Sequence, residues 1–136
     1  MAARILVVED NPASMELMGY LLQAAGHELL FAHDGREAIE IAERERPAAI
    51  VCDINLPRLD GYGILHHIKE HSDLKHTPCI AVTALAMVGD REKLLDAGFD
   101  GYISKPLDPE TFVDNIEGFL HRGSSGTGPA DAHASQ

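Results

Sequence analysis

Cysteine is scarce in this 136-residue chain, basic residues are few, and long apolar runs are missing. Each shortage excludes something. Two cysteines, Cys52 and Cys79, cannot supply a disulfide framework; both fall in predicted strands and read as reduced core residues of a cytosolic protein. The longest leading apolar stretch, Ile5 to Val8, stops at Glu9, which is too short for a signal peptide or a membrane span. Eleven Lys and Arg stand against 22 Asp and Glu, a formal net charge of −11. That balance opposes nonspecific binding to nucleic acid or anionic membrane, which needs a positive field, and it suits a cation site. What is present is ordinary for one globular domain: 45% of residues are hydrophobic. At this length roughly two-thirds of the unfolded surface can be buried.

Five short β-rich runs recur, Ile5–Val8, Glu28–Ala32, Ala49–Cys52, Cys79–Val82 and Gly101–Ser104, with helical patterns between them. Asn11-Pro12 predicts a cap and a first helical turn, and Met15, Met18, Leu22 and Ala25 keep a helical period up to the stop at Gly26. Asp34 followed by Glu37 has the form of a capping box. Asp60 caps a third helix, the fourth runs from about 89 to 97, and Asp108-Pro109 opens the fifth. Strand and helix alternate five times. The pattern predicts an α/β fold with a five-stranded parallel sheet, doubly wound, in the order 2-1-3-4-5. The domain is expected over 1–122, and the small polar tail 123–136 is expected to be disordered.

Parallel sheets present functional groups at the carboxyl ends of their strands. In this chain those ends carry Glu9-Asp10, Asp53, Thr83 and Lys105, while strand two ends at Ala32-His33, as an edge strand outside the site would. Singly, each acidic residue reads as a turn or cap residue. Together they gather three carboxylates, a hydroxyl and an ammonium on one rim. At ~4 Å each carboxylate pair costs about 1 kcal/mol in water and ~4 kcal/mol at an effective dielectric of 20. A cation relieves that repulsion, and oxygen donors with open positions suit Mg²⁺. A carboxylate in such company is a competent nucleophile for phosphoryl transfer, with Lys105 neutralising charge on the phosphoryl oxygens.

The segments ILVVEDNP, VCDINLPRLDGYG, AVTALA and GYISKP resemble the receiver domains of bacterial two-component response regulators, and the resemblance covers residues 4 to about 121. The run from Ala81 to Pro106 looks most like stand-alone regulators of the DivK and CheY kind. The resemblance implies that Asp53 accepts a phosphoryl group from a histidine kinase or histidine phosphotransfer protein. It also implies Mg²⁺, with Mn²⁺ as an alternative ion, held by Asp10 and Asp53, by the backbone carbonyl of Asn55, and by Glu9 through water. Lys105 and Thr83 would contact the phosphoryl oxygens, Ala84 would leave room for them, and the Lys105-Pro106 peptide would be cis. Leu59 departs mildly from the Met common there. Thr83 and Tyr102 would form a switch. The output would pass to a protein target through the fourth helix, fifth strand and fifth helix, from a cytoplasmic monomer or weak dimer.

Two other classes fit less well. An aspartyl-phosphate hydrolase usually carries an acid two positions after its nucleophile, where this chain has Asn55. A flavodoxin-like redox module needs a Ser/Thr/Gly-rich phosphate loop after strand one, where Glu9-Asp10 would repel the phosphate. His66, His67, His71 and His76 include an i, i+4 pair, His67 and His71. With no third ligand on that face of the helix, the sequence favours a solvated surface over a metal site.

Overall fold

The computed structural model describes residues 3–54, 56, 60–84 and 90–125. Strands β1 (Arg4–Val8), β2 (Glu28–Ala32), β3 (Ala49–Asp53), β4 (Cys79–Thr83) and β5 (Gly101–Ser104) alternate with helices. These are α1 (Pro12–Ala24), α2 (Gly35–Glu45), α3 (Gly61–Glu70), α4 (Asp90–Ala97) and α5 (Pro109–Ser125). The strands form one parallel sheet in the order β2-β1-β3-β4-β5. Its central strands carry unbroken apolar runs, Ile5–Val8, Ala49–Cys52 and Cys79–Val82, because helices cover both faces.

The two-residue period of the strands divides the core. Ile5, Val7, Val51, Ile80 and Val82 meet Met18 and Leu22 of α1 and Phe112 and Ile116 of α5. Their neighbours Leu6, Val8, Ile50, Cys52 and Ala81 meet α2, α3 and α4 through Ile41, Leu65, Ile68 and Leu94. Nearly all of these side chains are sealed from water, and each large one contributes about 1.5–3 kcal/mol of burial. Cys52 and Cys79 are free thiols inside this core. Burial pushes the Cys79 thiol up to about 12 and the Cys52 thiol well above its ordinary range, so neither is reactive.

The helix starts follow local chemistry. Asn11 accepts from the Ser14 amide at 3.0 Å, Asp34 from Glu37 at 2.9 Å, and Asp60 from Gly63 at 3.0 Å. The Glu37 carboxylate returns its bond to the His33 amide, one residue earlier than a standard capping box. Two details differ from the sequence expectation, at the ends of α1 and α5, and the end of α2 adds a feature the sequence did not address. Ala25 is exposed at the α1 C-cap, outside the buried stripe. The last turn of α2 closes on Arg46 in the left-handed region (φ 51°), and Pro47 follows it. Proline disfavours the right-handed helical conformation in the residue before it, which is a sufficient stop. The backbone of α5 continues to Ser125, past residue 122, because Gly123 and the serines are weak helix formers but no break. Residues 126–136, the rest of the expected tail, lie outside the described residues.

Candidate functional site

β3 and β4 each extend one residue beyond their apolar runs, so that Asp53 pairs with Val82 and Thr83 with Ser104 in the ladders. The extension fixes the Asp53 carboxylate and the Thr83 hydroxyl on adjoining strand ends. The Glu9 amide bonds to the Ala32 carbonyl at 3.0 Å, which continues β1 to the same rim. The Lys105 amide bonds to the Thr83 carbonyl at 2.8 Å and brings the end of β5 alongside. The Lys105–Pro106 peptide is cis.

The carboxylate oxygens of Glu9, Asp10 and Asp53 lie within 4.8 Å of one another. Glu9 and Thr83 are fully buried and Asp53 is 6% exposed, whereas Asp10 is open to solvent. The Lys105 ammonium reaches into the group, 3.2 Å from Glu9 Oε1 and 3.4 Å from Asp53 Oδ2. The Asn11 amide donates to Glu9 Oε2 at 3.2 Å. Glu9 Oε1 is buried and accepts no hydrogen bond; the ammonium is near it but not aligned with it.

Two upward shifts follow. Burial, then the hydrogen bond and charge of Asp53, raise the Glu9 carboxyl above its ordinary range, while the Asn11 amide and Lys105 pull it part of the way back. Burial alone would lower the Lys105 ammonium, but the charges of Asp53 and Glu9 outweigh it and hold its pKa above the usual lysine range. One ammonium faces three carboxylates, so the ionised cluster carries excess negative charge. A buried, unserved carboxylate oxygen beside two further carboxylates is an all-oxygen donor set with one wet side. It fits a hard divalent cation that keeps several waters, which is the preference of Mg²⁺.

The structure thus brings Glu9, Asp10, Asp53 and Lys105 together, with Thr83 at the end of the neighbouring strand. Tyr102 is half-buried against the α2–α4 side of the core, opposite Ala81 in the ladder, rather than at the rim. Ala84 is exposed just beyond Thr83. Asn55 and Leu59 lie outside the described residues. Gly61 explains the Asp-Gly pair before α3: a Cβ there would come within 2.9 Å of the Ile54 Cα and 3.1 Å of the Asp53 carbonyl. The Asn11 amide contact to Glu9 and the orphaned Glu9 oxygen had no signal in the sequence, since both depend on how the loop after β1 turns back.

Comparison with known proteins agrees with this geometry. The family model described as "Response regulator receiver domain" matches residues 5–117. The polar-differentiation response regulator DivK of Brucella anthropi is 38% identical over 120 residues, covering 88% of this chain and 98% of that protein. Chemotaxis response regulator CheY4 of Vibrio cholerae superposes with a TM-score of 0.82 at 28% identity, over 88% of this chain and 99% of its own. The receiver domain of a sensor histidine kinase from Pseudomonas aeruginosa, solved with a magnesium ion coordinated in its active-site cleft, gives 0.81 at 35% identity, over 89% and 99%. A five-stranded parallel sheet with acidic strand ends defines the class, a phosphoacceptor module of two-component signalling. The chain belongs to the response regulator receiver domain family. Among the described residues no helix is long and apolar enough to cross a membrane.

Proposed function

We propose that Asp53 is the phosphoacceptor of this receiver. The observation that carries the reading is its position: a nearly buried carboxylate at a strand end, 3.4 Å from the Lys105 ammonium and within 4.8 Å of the oxygens of Glu9 and Asp10. One Asp53 oxygen attacks the phosphorus of a phosphohistidine, the P–N bond breaks with its electron pair returning to the imidazole, and an acyl phosphate remains on Asp53. Lys105 follows the transferred group and neutralises its developing charge, and the Thr83 hydroxyl hydrogen-bonds it. Asp10 and Asp53 would hold Mg²⁺, with Mn²⁺ able to substitute; Glu9 would support it through water, and the Asn55 carbonyl would be the remaining protein ligand. When bound, the ion would supply neutralisation of the charge that develops in the transfer.

On this reading the domain (residues 1–122) catalyses its own phosphorylation and hydrolysis. It takes the phosphoryl group from a histidine kinase or phosphotransfer protein in the cytoplasm, as a monomer or weak dimer. It hands the signal to a protein target through α4, β5 and α5. Support for the last step is positional, because Thr83 and Lys105 stand at the roots of the loops leading to α4 and α5.

The test is phosphotransfer from a purified, phosphorylated histidine kinase with Mg²⁺ present. Label should leave the kinase and appear on the wild-type chain, and should remain on the kinase with Asp53→Asn or with EDTA. Transfer to Asp53→Asn at the wild-type rate would overturn the assignment.

A further inference from the structure

We propose that Glu43, His67 and His71 form a second divalent-cation site, of the kind that takes Zn²⁺, bridging α2 and α3 away from the acidic cleft. The sequence offered only the i, i+4 histidine pair; the missing ligand comes from the neighbouring helix, where spacing along the chain could not show it. His67 Nε2 lies 2.7 Å from Glu43 Oε2, with both side chains about two-fifths exposed. The two histidines sit one helical turn apart, a separation of about 5–6 Å between Cβ atoms. The His71 amide bonds back to the Ile68 carbonyl at 3.2 Å, which ties the C-cap residue to the last turn of α3 although its own backbone is extended. The Glu43 carboxyl is held below its ordinary range, first by the His67 hydrogen bond and further by the charges of His67 and His71. Both imidazoles therefore act on one carboxylate.

The chemistry is a substitution of a metal for a shared hydrogen. In the metal-free protein His67 Nε2 and Glu43 Oε2 share a hydrogen bond at 2.7 Å; on zinc binding that hydrogen leaves to solvent or, by tautomerisation, to Nδ1. Zinc bonds of about 2.0–2.2 Å in tetrahedral geometry set neighbouring donors roughly 3.3–3.6 Å apart, so the 2.7 Å pair opens by more than half an ångström to admit the ion. His71 Nδ1 now accepts the Asp73 amide at 3.2 Å, an exposed bond that water can replace when the ring swings in. That swing is required, because among the described residues only Glu9, Asp10 and Asp53 hold three donor atoms within 4.8 Å. The two sites differ in softness. Imidazole nitrogens select zinc and its neighbours, whereas the all-carboxylate cleft suits Mg²⁺. Water fills the fourth position. His66 points along another line of α3, near Glu70, and takes no part.

The experiment is calorimetric titration of the untagged full chain with Zn²⁺ in saturating Mg²⁺, which keeps the acidic cleft filled. One equivalent should bind. His67→Ala and His71→Ala should each weaken it by about tenfold or more and Glu43→Gln by several-fold, while the His66→Ala control changes it by less than about twofold. Imidazole ¹⁵N spectra of the wild type give a readout that needs no variant to fold: the ring nitrogens of His67 and His71 should shift with Zn²⁺ and those of His66 should not. Wild-type affinity in His67→Ala, or an equal loss in His66→Ala, would mean an adventitious ion only and would overturn the proposal. So would unmoved His67 and His71 nitrogens at saturating Zn²⁺.

Discussion

Glu9 shows how one residue can be placed against its own stability. It is fully buried beside Asp53, with one oxygen unserved, and its carboxyl is raised from the ordinary 4.5. In the unfolded chain it ionises at the ordinary value, and in the folded chain only at higher pH. Between the two, the native state holds a proton that the unfolded state has lost, so metal-free stability falls as pH rises through that window and stays reduced above it. Glu9→Gln removes this dependence. In EDTA the variant should melt above wild type at pH 7, and the difference should vanish near pH 4, where Glu9 is protonated in both states. Thermal scans across that range decide; equal melting at pH 7 would contradict the strain described. Bound Mg²⁺ should act in the opposite sense, adding about 2.7 kcal/mol at 100 times its dissociation constant, and more of that gain should belong to wild type.

At the scale of elements, the strands and helices were legible because local chemistry and global pattern agree. Apolar runs mark the strands, and Asn11, Asp34 and Asp60 cap helices where their side chains suggest. The gathering of Glu9, Asp10, Asp53, Thr83 and Lys105 at one rim was legible for a related reason, because a parallel sheet collects its strand ends. What stayed hidden depends on tertiary closeness. The left-handed stop at Arg46, the pairing of His67 with Glu43, and the buried His27 are examples. The His27 ring accepts from the Ala3 amide and meets Glu117 of α5 at 2.8 Å, and no period or motif announces it. Gly101 belongs here too. A Cβ at the start of β5 would meet the Phe119 ring at 2.1 Å, so the glycine seats α5 on the sheet. Gly101→Ala should cost about 1–3 kcal/mol through overpacking. Phe119→Leu, which clears the ring, should recover part of that loss, so that the two changes are non-additive in urea denaturation. Strict additivity would mean that the ring is not what the glycine accommodates.

For the whole molecule, the question is how charge at one end of the sheet becomes a surface change. Thr83 ends β4 and its carbonyl holds the Lys105 amide, while Tyr102 stands in β5 beside Ala81, half-buried against the core under α4. On the proposed assignment, a phosphoryl group on Asp53 would give Thr83 and Lys105 a new partner, and the differential contacts would bias Tyr102 between two positions. Beryllofluoride, which mimics the phosphoryl group on an aspartate, should therefore shift amides at Asp53, through Thr83, and on to Tyr102 and α4. In Thr83→Ala the shifts should stop at the pocket. Shifts that reach Tyr102 unchanged without the hydroxyl would remove Thr83 from the coupling. All of this rests on Asp53 being the residue that is modified. The most direct measurement is intact mass after incubation with acetyl phosphate and Mg²⁺: wild type should gain one phosphoryl group and Asp53→Asn none. A phosphoryl group retained by Asp53→Asn, or none gained by a folded, Mg²⁺-loaded wild type, would contradict the account.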